Sequence, residues 1–161
     1  MRIFIYSVIL LLFISCEEEK NCQDYTLNSG LIIREPSMGE CYSLLVKDTY
    51  IINDSTTYMT LNQEVDTAVL QAFGCAENPD RPEINFDTLT LLAAKTEGIG
   101  CIVTYQRDVV YIQDSNLCRY TIDVFQCGDC NTNRFNMNYV LTEKIPDSAN
   151  YIVEINYIEH P

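Results

Sequence analysis

Eight cysteines are the residues of this 161-residue chain with the most chemical potential, because a thiolate can attack, bind a metal or form a disulfide. Two of them form a C-x-x-C pair, Cys127-Gly-Asp-Cys130, behind a segment rich in β-branched and aromatic residues. Redox chemistry, metal binding and structural disulfides are the three roles to weigh. The other six cysteines stand singly along the chain: Cys16, Cys22, Cys41, Cys75, Cys101 and Cys118.

The sequence around the C-x-x-C pair lacks the further elements that redox chemistry or metal binding would need. The pair resembles the C-G-x-C motif of thioredoxin-like oxidoreductases, which implies catalytic roles for Cys127 and Cys130. That fold continues with a helix at the motif, whereas the residues after Cys130 are Asn-rich and then predict strands. A zinc site would need a second pair, and the chain offers single cysteines and His160. We therefore expect no metal or other cofactor, with thiol–disulfide exchange as the alternative function.

A structural disulfide is the expected role, because the pair closes a predicted β-hairpin. Residues 101–112 and 117–127 predict two strands, and turn chemistry lies between them. A turn centred on Asp114-Ser115 makes the numbers of paired residues add to about 229, which places Cys101 opposite Gly128. Cys130 is then the preferred disulfide partner of Cys101, with Cys127 within reach, since Gly128 lets the chain turn back.

The remaining cysteines leave several pairings open. Cys127 would pair with Cys75 or Cys118, or stay buried as a thiol. Cys22 and Cys41 flank a short extended segment and could join the N-terminal arm to the domain edge. If Cys16 is modified, an odd number remains, so one is free, buried or paired outside the chain.

The first 15 residues predict an export signal, with Arg2 followed by an apolar core that is too short to span a bilayer. Phe13-Ile-Ser-Cys16 resembles a bacterial lipobox. The resemblance implies cleavage before Cys16, a diacylglyceryl thioether on its sulfur and acyl chains such as palmitate, which together form a membrane anchor. An ordinary secretory signal with Cys16 in a disulfide is the alternative.

An acidic run, Glu17-Glu-Glu-Lys20, follows Cys16 directly. It resembles the surface-export signal of some Gram-negative lipoproteins, which implies a lipid-anchored protein of the outer membrane that is exposed at the cell surface. A plain solvated tether is the alternative.

The net charge of −13, which becomes one unit more negative when Arg2 is removed with the signal, excludes nucleic-acid binding. The same charge opposes adsorption to anionic lipid, so the lipid on Cys16 must hold the protein at the membrane. About 145 mature residues suit one domain.

One helix and about seven strands are predicted, which indicates an α+β fold with a mainly antiparallel sheet and disulfide staples. The helix is predicted from a capping box at Thr60 and Gln63 to a C-cap at Gly74. Three parts are expected: a lipoprotein signal peptide (1–15), a lipidated N-terminus with acidic tether and edge segment (16–40), and a single α+β domain (41–160). Outside the hairpin, strands are predicted within 27–38 and at 42–47, 50–58, 84–94, 139–142 and 151–158, with irregular loops at 75–83 and 131–138.

The order of these elements resembles a family of small exported bacterial proteins that includes the C-terminal domain of the protease-complex subunit PrcB. The shared features are the helix, Pro82-Glu-Ile-Asn-Phe86, a strand, Gly98-Ile-Gly-Cys101, the hairpin and a closing Tyr151-Ile-Val153 strand. The resemblance covers residues 42–158 and implies a lipid-anchored accessory protein that binds a surface protease or another envelope partner. It implies no catalytic residues.

Residues for other kinds of catalysis are scattered. The only histidine, His160, lies one residue from the end of the sequence, so a Ser or Cys nucleophile has no oriented base. No D-x-D-x-D-G loop is present, and solvated faces explain the acids. We therefore expect a protein-interaction or accessory module and not an enzyme. The acids considered for an acid pair or calcium site are Asp87, Asp108, Asp114, Asp123 and Asp129.

Overall fold

The structure, a computed structural model, describes residues 26–45, 47–71 and 81–159. These residues form two four-stranded β-sheets and one α-helix. The predicted α+β class is confirmed. The elements are β1 (Leu27–Gly30), β2 (Ile32–Arg34), a 3-10 helix (Glu40–Leu44), β3 (Thr49–Ile52), α1 (Ser55–Gln71), β4 (Leu89–Ile99), β5 (Ile102–Ile112), a 3-10 turn (Gln113–Ser115), β6 (Leu117–Cys127), β7 (Asn133–Glu143) and β8 (Asn150–Glu159).

The two sheets pack face to face, and the helix covers the far side of one of them. The sheet in the middle, which we call the central sheet, has the order β2-β7-β4-β3 and is antiparallel throughout. The other, the outer sheet, has the order β1-β5-β6-β8. Its β5–β6 pair is antiparallel, whereas β1 and β8 run parallel to their neighbours. The fold is thus a three-layer arrangement of outer sheet, central sheet and helix.

The continuous apolar run in β4 matches a strand that is buried on both faces of the central sheet. Leu91 and Ala93 belong to the core beneath the helix, and Leu92 and Ala94 belong to the core between the sheets. A strand buried on both faces is apolar continuously and not at alternate positions. The strand begins at Leu89, later than the predicted residue 84, because residues 84–88 turn, with the amides of Thr88 and Leu89 donating to the Asn85 carbonyl.

The β5–β6 hairpin has the predicted register. Ile102 pairs with Cys127 and Ile112 with Leu117, so the pairing runs without a shift along eleven residues of each strand. Asn116 adopts the left-handed conformation, with φ of 49°, at the end of the turn. Fully buried side chains alternate with more exposed ones along most of β6, as the sequence pattern predicted.

The helix starts five residues before the predicted capping box. Asp54 accepts hydrogen bonds from the backbone N of Thr57 (2.8 Å) and from its hydroxyl (2.7 Å), which is N-cap geometry. The predicted start at Thr60 is therefore wrong, and so is the predicted strand at 50–58 beyond Ile52. Gly74, the expected C-cap, lies outside the described residues. No helix within 26–45, 47–71 and 81–159 is both long and apolar enough to cross a membrane.

Two further predictions of local structure are wrong. Residues 42–47 do not form a strand, because Tyr42 and Leu45 turn inward from a 3-10 helix and are buried beneath α1. Residues 131–138 are not an irregular loop, because β7 begins at Asn133 and pairs with β4 along its whole length. Asn138 is fully buried there, and its side chain accepts a hydrogen bond from Arg107 of the outer sheet and donates one to Thr96 of its own sheet.

Candidate functional site at the cystine end of the sandwich

The C-x-x-C pair lies where the chain crosses between the two sheets. Residues 100–101 carry the chain from β4 in the central sheet to β5 in the outer sheet, and residues 128–132 carry it back from β6 to β7. The two crossovers lie side by side: the Cys101 amide donates to the Cys127 carbonyl (2.8 Å), and the Gly100 amide donates to the Thr132 carbonyl (3.3 Å). We call these two crossovers the cystine end.

A disulfide between Cys101 and Cys130 joins the crossovers, with Cα atoms 4.7 Å apart, and the predicted pairing is confirmed. Gly128 makes the approach possible: its φ is 78°, and a Cβ atom there would lie 2.9 Å from the Cys101 sulfur. The disulfide does more than close a hairpin, because it also fixes the central sheet to the outer sheet at this end.

Cys127 is also disulfide-bonded, although neither to Cys130 nor to Cys118. The predicted alternatives of a Cys127–Cys118 bond and of a buried Cys127 thiol are therefore wrong. The alternative partner Cys75 lies outside the described residues, as do Cys16 and Cys22. The two sulfurs of the C-x-x-C pair thus serve two different disulfides.

Cys41 and Cys118 are free thiols, and both are buried. The predicted Cys22–Cys41 staple is therefore wrong, because Cys41 packs in the core beneath α1. Cys118 is fully buried on the inner face of β6, where removal from water raises the pKa of its thiol to about 11. Little thiolate forms at neutral pH, so Cys118 is a poor nucleophile.

The candidate carboxylates do not converge. Asp108 accepts a hydrogen bond from the Ser29 hydroxyl (2.6 Å), and Asp123 accepts one from the Asn156 amide (2.8 Å), so both are engaged on the open face of the outer sheet. Across the described ranges, no three His, Cys, Asp or Glu side chains are placed to hold a metal ion. His160 lies outside those ranges.

A buried arginine at the middle of β5, away from the cystine end, was missed in the sequence. Arg107 is 4 % exposed on the inner face of β5, between the sheets. Its Nε donates to the Asn138 Oδ1 atom (3.0 Å), and its Nη1 lies 3.0 Å from Glu35 Oε2. The Nη1 contact is an ion pair without hydrogen-bond alignment, since this atom has no hydrogen-bond partner in the described part of the chain. The signal in the sequence was a charge at position 107 within the inward row of β5.

Asn138 connects this arginine to both sheets. Its Nδ2 atom donates to the Thr96 hydroxyl (2.8 Å), and its backbone carbonyl accepts from the Tyr120 hydroxyl (3.2 Å). The guanidinium also lies 5.7 Å from the centre of the Tyr105 ring. A cation surrounded in this way is committed to internal contacts, so the cluster supports the sandwich and is not arranged as an open catalytic centre.

Comparison of the chain with family models, with curated proteins and with solved structures found no match.

Proposed function

We propose that this protein is a lipid-anchored accessory protein of the bacterial envelope that acts by binding another protein. The anchor would be acyl chains on Cys16, exposed by cleavage of the signal at residues 1–15. The Cys101–Cys130 disulfide supports an exported protein, because structural disulfides persist in oxidising compartments. Outer-membrane location, exposure at the cell surface and a surface protease as partner belong to the same proposal.

One observation carries the choice of a binding role. The sulfurs of Cys127 and Cys130 are engaged in two different disulfides, and one of these bonds holds the two sheets together. The other described thiols, on Cys41 and Cys118, are buried. The residues with the greatest chemical potential therefore support the scaffold, which favours a function carried by the surface.

Thiol–disulfide exchange by Cys127 and Cys130 is the second candidate, and the C-x-x-C spacing favours it. Such a cycle would require Cys130 to leave Cys101 before it could bond to Cys127. Brief mild reduction followed by thiol labelling and peptide mapping separates the two functions. A redox pair gives fast labelling at Cys127 and Cys130 with re-oxidation between them, whereas a scaffold gives slow labelling and re-oxidation of Cys130 to Cys101.

The anchor is tested by a pair of variants expressed as the full chain with its signal. Cys16→Ser should abolish incorporation of radiolabelled palmitate and move the protein out of the membrane fraction. Cys22→Ser, six residues away, is the matched control and should keep both properties. A Cys16→Ser protein that stays membrane-bound, or wild-type protein that takes up no palmitate, would overturn the lipid anchor.

A further inference from the structure

The four sheet edges of the described fold are unequal. β2 and β3, which flank the central sheet, have three and four residues, and β1 has four. β8 forms the remaining edge with ten residues, paired to β6 in one continuous register from Asn150 to Glu159. Proteins usually shorten, bend or charge an exposed edge because it can pair with another strand. β8 is long, pairs with β6 without a register shift, and contains neither proline nor a basic residue.

The backbone groups that β8 directs away from β6 can be assigned. The Asn150 amide donates to the Asn116 carbonyl at the start of β6 (2.8 Å), so Asn150 faces β6. Alternate residues of a strand direct their N–H and C=O groups to opposite edges. Val153, Ile155 and Tyr157 therefore direct theirs outward, where no described strand pairs with them.

The side chains along this edge are apolar and acidic. Ile152 is 44 % exposed and Tyr157 is 52 % exposed. The acidic groups of the adjoining open face are Asp108, Asp123 and Glu154, against one base, Arg119, whose Nε lies 3.5 Å from Glu154. In a chain of net charge −13, this edge offers backbone pairing, apolar contact and negative charge.

We infer that β8 is the strand to which the protein partner adds, and that the partner contributes an extended segment with alternating apolar and basic side chains. This inference rests on the proposed binding function and deepens it. The outward groups of Val153, Ile155 and Tyr157 bond to the incoming backbone, and basic side chains of the segment meet the acids of the open face. The negative charge of the chain favours a basic segment over a second copy of the chain, because two copies of net charge −13 would repel each other.

Binding is tested with three decapeptides in which valine alternates with lysine, glutamine or glutamate. Fluorescence anisotropy measures their affinity for the mature protein. The lysine peptide should bind at least about tenfold more tightly than the glutamate peptide, with a difference that narrows as salt rises. Equal affinity for all three, or no binding of the lysine peptide, overturns the inference.

Two variants place the site on β8. Ile155→Pro removes an outward N–H while leaving the bonds to β6, so it should weaken the lysine peptide about tenfold or more. Ile155→Thr keeps that N–H and should retain affinity within about twofold. If the proline variant fails to fold, Glu154→Lys provides the test: it should weaken the lysine peptide several-fold, whereas Glu83→Lys, on the exposed segment that leads into β4, should not. Unchanged binding in these β8 variants overturns the inference.

Photo-crosslinking in intact envelopes separates failure of this inference from failure of the proposed function. Benzoylphenylalanine replaces Tyr157 on β8 in one full-length protein and Met59 on α1 in another, both being exposed side chains. A protein adduct at 157 that the lysine peptide displaces supports the inference. An adduct only at 59 overturns β8 as the site but retains a binding function. A dimer adduct at 157 assigns the edge to a second copy, and no adduct at either position counts against both proposals.

Discussion

The central and outer sheets have the same number of strands but different surroundings. The central sheet is covered on one face by the helix and on the other by the outer sheet, and its edge strands have three and four residues. No element within the described ranges covers the other face of the outer sheet, and this sheet ends at the ten-residue strand β8. Both faces of the central sheet are thus committed to the core, whereas the outer sheet commits only its inner face.

The two sheets also differ in the surroundings of several polar groups, which are buried in the central sheet and lie at the surface of the outer sheet. Thr90 and Thr142 of the central sheet are fully buried, and their hydroxyl groups donate to Asn53 and to the Glu143 carbonyl. On the outer sheet, Asp123 and Glu154 lie on the solvated face. The central sheet therefore satisfies these polar groups internally, whereas the outer sheet carries charged groups on its solvated face.

The largest effect is expected where the two sheets are joined. The double variant Cys101→Ser/Cys130→Ser opens a loop of sequence separation 29, for which the chain-entropy model gives about 3 to 4 kcal/mol. Urea unfolding should show this loss, and each single variant should lose nearly as much as the double. A loss below about 1 kcal/mol, or two single losses that add, would show that the bond does not constrain the fold.

The next prediction compares matched truncations in the two sheets. Leu141→Ala in the central sheet removes a fully buried side chain and should cost about 3 kcal/mol. Ile152→Ala on the open face of β8 should change the unfolding free energy by less than about 0.5 kcal/mol. Similar losses in urea unfolding would contradict the division of roles between the sheets.

A smaller effect is expected at the ion pair between the sheets. Glu35→Gln leaves Arg107 buried without its counter-ion and should cost about 1 to 2 kcal/mol, less than a fully buried pair because Glu35 is partly exposed. Adding Arg107→Met should recover part of that loss, since an apolar side chain needs no counter-ion. Glu83→Gln is the control, and a further loss on adding Arg107→Met would contradict this reading.

The smallest predicted effect is an alkaline one on the helix side of the central sheet. Burial, together with a hydrogen bond to Glu64, raises the pKa of Tyr50 to about 12 from 10.0. The neutral phenol is thus favoured in the folded state, so its contribution is complete below about pH 10 and is lost as pH rises towards about 12. Tyr50→Phe should flatten the fall of unfolding free energy over that range. An unchanged slope would assign the alkaline loss to other groups.

Local pairing explains what the sequence predicted well. The register of β5 with β6 and the Cys101–Cys130 bond follow from alternation, turn position and the reach of a disulfide, all within about 30 residues. The β8 segment was also recognised as a strand. Its place at an edge was not, because β8 runs parallel to β6 after the chain has crossed through the other sheet, and sequence neighbours do not encode that order.

Tertiary contacts explain the failures. The β-propensity of Tyr42 predicts a strand, but the core beneath α1 holds this residue in a 3-10 helix against the Tyr139 ring. The Asn-rich composition around Asn138 predicts a loop because asparagine usually avoids strands, yet Arg107 and Thr96 satisfy its amide inside the sandwich. Arg107 itself could be noticed as a charge in an inward row, but its counter-ion on Glu35 lies far away in the sequence.

Amide hydrogen exchange of the free, ¹⁵N-labelled protein, produced without residues 1–15, tests most directly whether β8 is an open edge. We expect fast exchange at Val153, Ile155 and Tyr157, slower exchange at Ile152 and Glu154, which face β6, and the slowest exchange at Leu91 of the central sheet. Protection of Val153, Ile155 and Tyr157 equal to that of Leu91 would mean that something already covers this edge, and would contradict the binding role that we propose for β8.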